Sequence, residues 1–222
     1  MMSSKPGKPA LRLFATVAAT VAWAALMVQL WLTLGLVVAQ GRGVAMGLVV
    51  YFGFFTVLTN LLAALVLSAY AAGPRFPGHR WLADPVAQTG TAAAIAIVGM
   101  VYFFILRQLW KPQGVQFLAD AALHYVVPVL MVAFWAQAVP RRAIAWRDAP
   151  WLFAYPLVYL VYVFARGEVF GLYPYDFVDV IKLGYRAALL NAAGLMLAYA
   201  AIVGLFCGLK ALPPRAATRK NR

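Results

Sequence analysis

The chain has 222 residues, 65% of them hydrophobic and only 11% charged, with a mean hydropathy of +0.82. Soluble domains run about 45–50% apolar and about 25% charged, so composition excludes a soluble globular domain and equally a disordered chain. The net charge of +13 fits basic loops against an anionic membrane surface and implies no nucleic acid, while a single cysteine, Cys207, excludes an intrachain disulfide, a CxxC pair and a cysteine-built zinc site.

Six apolar blocks of membrane-span length follow one another, at about 13–39, 46–72, 91–106, 117–139, 151–165 and 184–209. They are continuous and rich in Ala and Leu, which favours helices over the alternating segments of a membrane barrel. The expectation is an all-α polytopic membrane protein: a six-helix domain at 13–209 between basic tails at 1–12 and 210–222. The first block is too long for a signal peptide and no small-residue cleavage site follows it, so it is read as a span. The fifth block is short and relies on its aromatic ends to reach the interfaces. The run Gly204–Gly208, GLFCG, reads as a helix-packing face.

Lysine and arginine set the orientation. One side holds 13 of them, in the N-terminus, the 73–90 loop, the 140–150 loop and the C-terminus. The other side holds 6: Arg42, Arg107, Lys111, Arg166, Lys182 and Arg186. Both termini are therefore expected in the cytoplasm, with the protein in the cell (inner) membrane.

Polar residues at membrane depth are the informative ones. Thr56 and Asn60 share one face of the second block, Asp120 and His124 one face of the fourth, and Asn191 lies in the sixth. Tyr155, Tyr159, Tyr162 and Arg166 form one stripe of the fifth. Thr56 lies roughly 15 Å into its block, and His124 and Asn191 roughly 10 Å into theirs, at 1.5 Å per residue. These groups, with Tyr159 and Tyr162, are expected near one level, around an outward-opening pocket. Plainer readings stand beside this one. A membrane threonine commonly bonds the carbonyl three or four residues back, asparagines join helices, and a tyrosine stripe packs and anchors.

Pro128 lacks the N–H that bonds the carbonyl of His124, so the fourth helix is expected to kink there. Asp120, one turn away, can hold the imidazole tautomer. The segment from Arg166 to Arg186 is too apolar for a free loop and too acidic for a span. It is expected to fold as a lid over Thr56 and His124, with Arg166 paired to Glu168, Asp176, Asp179 or a ligand carboxylate. The alternative is an interfacial belt. The serines, Ser3, Ser4 and Ser68, offer no GxSG context for an intramembrane serine protease. His79 lies in the inner loop GPRFPGHRW and His124 in the fourth block, different regions that leave no two-histidine haem or zinc site, so no metal and no cofactor is expected.

FFTVLTN in the second block, LHYVVP in the fourth and YPLVYLVYVFARGEVFGLYPYDF across the fifth and its loop resemble the bacterial "Pr-six-Pr" six-span membrane proteins. Those are distantly similar to the animal androgen-induced and androgen-dependent six-span proteins, which hydrolyse fatty acid esters of hydroxy fatty acids. The resemblance implies a catalytic threonine at Thr56 and a catalytic histidine at His124. Here the histidine precedes the proline by four residues, one fewer than in the animal motif. In that chemistry Thr56 is the nucleophile and His124 its general base. The amide of Asn60 or Asn191, or a tyrosine hydroxyl, serves the oxyanion. Two functions stay open: a lipid-ester hydrolase acting on an acyl ester, and a non-enzymatic protein that binds or transports a lipid or small molecule. A proton-coupled transporter using His124 and Asp120 belongs to the second class. Membrane lipids are the expected surroundings in both.

Overall fold

The computed structural model describes residues 9–212; the tail segments 1–8 and 213–222 lie outside the described residues. The chain forms α1 (Pro9–Ala39), α2 (Gly43–Tyr51), α3 (Phe55–Ala72) and a short α4 (His79–Leu82). Next α5 (Pro85–Val101) passes through a π-turn (Tyr102–Leu106) into α6 (Arg107–Leu109). Then α7 (Gly114–Ala121) passes through a second π-turn (Ala122–Val126) into α8 (Val127–Ala138). Finally come α9 (Ala149–Phe170) and α10 (Val180–Ala211), and no strand occurs among the described residues. Six helical segments are long and apolar enough to cross a membrane: Pro9–Ala39, Phe55–Arg75, Pro85–Leu109, Gly114–Ala138, Ala149–Phe170 and Val180–Ala211. This is the architecture of a multi-pass membrane protein.

The bundle packs through small residues. Ala15, Ala18, Ala22 and Ala25 recur at helical spacing along α1 and are buried where α1 meets α3, which contributes the fully buried Ala63, Ala64 and Leu67. Small side chains let helix backbones approach closely, and that close packing drives association where water supplies no hydrophobic force. Gly204 and Gly208 do not share in this. Both are exposed, and a Cβ placed on either meets nothing within 4 Å. The glycines of the GLFCG run therefore make no packing face inside this chain; the run packs instead through Phe206, which is buried and stacks on Trp135.

Several boundaries differ from those expected. The second block is not one helix: it breaks between Tyr51 and Phe55. The fifth helix is 22 residues, roughly 33 Å at 1.5 Å per residue, long enough to span unaided. Arg166 and Glu168 lie in its last turns, not in a loop. Residues 9–12 and Lys210 belong to α1 and α10. Pro128 is accommodated by the wider turn at Ala122–Val126 that precedes it, which carries His124.

Two helix ends are capped by long cations, one buried and one exposed. Lys210 is buried and donates from Nζ to the carbonyls of Ala136 (2.9 Å) and Val139 (2.6 Å) where α8 finishes. Arg12 donates to Ala71 O at the end of α3 (3.0 Å). These are the orphan carbonyls of a helix C-terminus, and its partial negative charge favours a cation. The carbonyl freed by Pro156, that of Leu152 four residues back, accepts from Tyr199 OH of α10 at 2.7 Å.

Candidate active site at a broken helix

The sequence YFGFF at residues 51–55 interrupts the second block. Phe54 is extended (φ −80°, ψ 128°) and α3 begins at Phe55. Such a break leaves carbonyls unsatisfied at the end of α2 and N–H groups unsatisfied at the start of α3. In a bilayer both sets need partners from protein.

The stripe on α9 supplies the carbonyl side. Arg166 donates to Val49 O through Nε (3.2 Å) and Nη2 (2.9 Å). Tyr162 OH donates to Phe52 O (3.2 Å) and Tyr159 OH to Gly53 O (3.0 Å). One turn on, Tyr155 OH meets Thr59 Oγ1 at 2.8 Å. The spacing seen in the sequence is thus a ladder that caps a broken helix. Gly53 is part of it: a Cβ there would lie 2.7 Å from Arg166 Cζ, so only glycine lets the guanidinium rest against the backbone.

Among the described residues Arg166 has no carboxylate partner, so the expected pairing with Glu168, Asp176 or Asp179 is not formed. Its remaining contact is Nη1 to Leu172 O (2.6 Å). The three acids are committed elsewhere. Glu168 accepts from Tyr173 OH and Tyr185 OH, Asp176 pairs with Lys182, and Asp179 caps α10 by accepting from Ile181 N and Lys182 N.

The N–H side of the break carries Thr56. In a continuous helix its hydroxyl would bond the carbonyl of residue 52, as Thr89 and Thr91 bond theirs four residues back. Here residue 52 lies across the break and its carbonyl is taken by Tyr162. Thr56 Oγ1 instead stands 3.3 Å from His124 Nε2 and 3.3 Å from Tyr175 OH. The Thr56 N–H, an orphan donor of the first turn, donates to the same Tyr175 oxygen at 3.3 Å.

His124 is held on three sides. Its Nδ1 lies 2.9 Å from Asp120 O and 3.3 Å from Asp120 Oδ1. Both are acceptors, so Nδ1 carries the hydrogen and Nε2 presents its lone pair to Thr56. Its ring stacks on Tyr102 at 4.1 Å and 18°. Tyr102 and His124 each lie in a π-turn, of α5–α6 and of α7–α8. The extra residue of such a turn rotates the following side chains, and π-turns recur at functional sites.

Asn60 ties the two helical segments of the site together. Its amide, fully buried, donates to Thr56 O (2.8 Å) and to Leu123 O (3.1 Å). Its donors are therefore spent on backbone, and it offers none to an oxyanion. Its Oδ1 has no donor among the described residues. Asn191 is exposed and donates to Phe177 O (2.9 Å); it fastens the loop and does not reach Thr56.

The α9–α10 loop, residues 171–179, lies over this end of the bundle as expected of a lid. Arg166 holds it at Leu172 and Asn191 at Phe177. Between these anchors Tyr175 stacks on Phe177 (5.0 Å, 6°) and meets Phe54 edge-on (5.7 Å). Burial pushes the Tyr175 phenol up, and its hydrogen bonds with Thr56 and with the Phe55 N–H offset part of that. Beside Thr56 is a cavity of about 90 Å³, walled by residues such as Val98, Val101, Leu160, Leu195 and Met196, with Tyr175 and Tyr159 also lining it. His124 meets Thr56 from outside that cavity.

Of the residues singled out from sequence, Thr56, His124, Asp120 and Asn60 come together. Tyr159, Tyr162 and Arg166 flank them as caps of the break, and Asn191 stands apart. Sequence reasoning did not single out Tyr175, Tyr102, Tyr199 or Gly53. A glycine three residues before a membrane threonine was the one local signal available for the break; the tyrosine contacts are long-range and leave no local pattern. No protein-family model, curated protein or solved structure matches this chain.

Proposed function

We propose that the chain is an intramembrane hydrolase of acyl esters, with Thr56 as nucleophile, His124 as general base and Asp120 as the group that orients His124. The observation that carries this reading is the contact of Thr56 Oγ1 with the lone-pair nitrogen of His124, itself backed by Asp120. A nucleophile, a base and an orienting carboxylate in sequence are the parts that acyl transfer needs. The 3.3 Å separation is long for such a bond, as is common before substrate binds. The resemblance of FFTVLTN and LHYVVP to the six-span hydrolases supports the same two residues, and the apolar cavity beside Thr56 suits an acyl chain drawn from the membrane.

In the reaction Thr56 Oγ1 bonds to the ester carbonyl carbon while its proton passes to His124 Nε2. The carbonyl π pair moves onto oxygen. Collapse breaks the ester C–O bond, and the leaving alkoxide takes the proton from Nε2, leaving acyl-threonine. Water, deprotonated by the same nitrogen, attacks the acyl carbon. The acid departs and Thr56 regains its proton. Both termini in the cytoplasm and a place in the cell membrane are part of this proposal, supported by the asymmetry of basic residues.

The test is a fluorophosphonate probe on purified protein in detergent or nanodiscs. It should modify Thr56 in the wild type, and neither Thr56→Val nor His124→Ala should be modified. A wild type that is never labelled and turns over no acyl ester removes the hydrolase reading and leaves a ligand-binding or transport protein.

A further inference from the structure

We infer that Tyr175 is a further catalytic residue: its hydroxyl and the Thr56 N–H form the donor pair for the oxyanion, so the site is complete only when the α9–α10 loop is docked. The inference rests on the hydrolase reading above. The nearby donors can be counted. Both Asn60 amide hydrogens are spent on Thr56 O and Leu123 O, and Asn191 bonds Phe177 O. Tyr159 and Tyr162 donate to Gly53 O and Phe52 O, and Tyr155 is bonded to Thr59. Tyr175 differs, because its oxygen accepts the Thr56 N–H and its own proton is committed to no backbone carbonyl, facing only Thr56 Oγ1.

The geometry fixes where that proton goes. Thr56 Oγ1 gives its hydrogen to His124 Nε2, since Nδ1 holds the ring hydrogen. Oγ1 can then only accept from Tyr175, at 3.3 Å. A tyrosine that donates to the nucleophile oxygen before attack is one short swing from donating to the oxygen of the carbon that Oγ1 attacks. The Thr56 N–H, released by that swing, is the second donor, at the positive end of α3. Preorganised donors of this kind lower the barrier because they are already aligned where charge develops.

Tyr175 is held for this by Phe177 and Phe54 on its ring, and its loop by Arg166 and Asn191. The substitution Tyr175→Phe keeps the ring and removes the donor. In nanodiscs, with an acyl ester that the wild type hydrolyses, Tyr175→Phe should lower kcat by roughly 100-fold, as loss of one oxyanion donor does, with KM little changed. The matching thionoester carries sulfur, a poor acceptor, at the carbonyl position. The wild type should therefore favour the oxygen ester strongly, and Tyr175→Phe should lose most of that preference. A fluorotyrosine at position 175 keeps the donor and makes it more acidic, so its rate should differ from that of Tyr175→Phe by well over 10-fold. The inference is overturned if Tyr175→Phe retains wild-type kcat. It is also overturned if the loss appears in KM with the oxygen-over-sulfur preference intact, which marks a purely structural lid. Failure of the hydrolase reading looks different: the wild type itself is neither labelled nor active.

Discussion

Thr56 Oγ1 and His124 Nε2 lie 3.3 Å apart although 68 positions separate them in the chain. The contact depends on two local distortions, the break before Phe55 and the π-turn at Ala122–Val126, joined by one buried amide. That amide is Asn60. Asn60→Leu should lower unfolding stability by ~1 kcal/mol, the scale of an interhelical hydrogen bond in a membrane, and should lower the rate of Thr56 labelling further than that loss explains. Unfolding titration in mixed micelles, run beside the labelling assay, checks both. Unchanged labelling in folded protein would show that Asn60 does not set the Thr56–His124 geometry.

Gly53 and Arg166 should be energetically coupled. Gly53→Ala places a Cβ against the guanidinium and should cost about 1–3 kcal/mol, the usual range for overpacking. With Arg166→Ala in place the obstruction is gone, and the same glycine substitution should cost far less. Arg166→Ala alone deprives Val49 O and Leu172 O of their donors, at about 1–3 kcal/mol for each buried acceptor. A double-mutant cycle on unfolding free energy measures the coupling; additive costs would refute it.

Tyr199 and Pro156 make a second such pair. Tyr199→Phe leaves Leu152 O without its donor and should cost about 1–3 kcal/mol. With Pro156→Ala in place the backbone regains the N–H that reaches Leu152 O, and Tyr199→Phe should then cost less. Equal costs in the two backgrounds would mean that Tyr199 does not serve the proline gap.

Gly167→Ala tests the docking of the lid. The added Cβ runs into the Tyr173 ring, while alanine suits a helix better than glycine by about 1 kcal/mol. The helix should therefore hold and the loop should shift. Limited proteolysis within residues 171–179 should speed up and ester turnover should fall at least 10-fold. If the loop resists protease as in the wild type, Tyr173 is not what seats it.

Orientation is open to reporter fusions. Those at Gly43, Gly114 and Gly171 should report the outer side and one at Gly78 the cytoplasm. Arg166 and Lys210 cap helices inside the bundle, yet setting both aside leaves 12 basic residues on one side and 5 on the other. The reverse pattern of reporters would refute the charge rule for this protein.

The sequence by itself determined the helical class and the number of spans, because a bilayer admits only helices and closed barrels, and continuous apolar blocks of this length fit the first. It also singled out Thr56 and His124, whose side chains the structure brings into contact, since polar groups at membrane depth are costly and therefore sparse. It read the α9 stripe as pocket lining or as packing and anchoring, and not as a cap, because hydropathy records where side chains are apolar and not where a backbone has stopped bonding itself. Tertiary structure decided that the second block breaks at Gly53 and that Arg166 serves carbonyls, because the carboxylates near it in sequence found closer partners. It also decided that Tyr175, from a loop 119 positions beyond Thr56, contacts the Thr56 N–H and hydroxyl. Contacts of that range depend on how helices pack against one another, and side-chain spacing within a single helix carries no record of them.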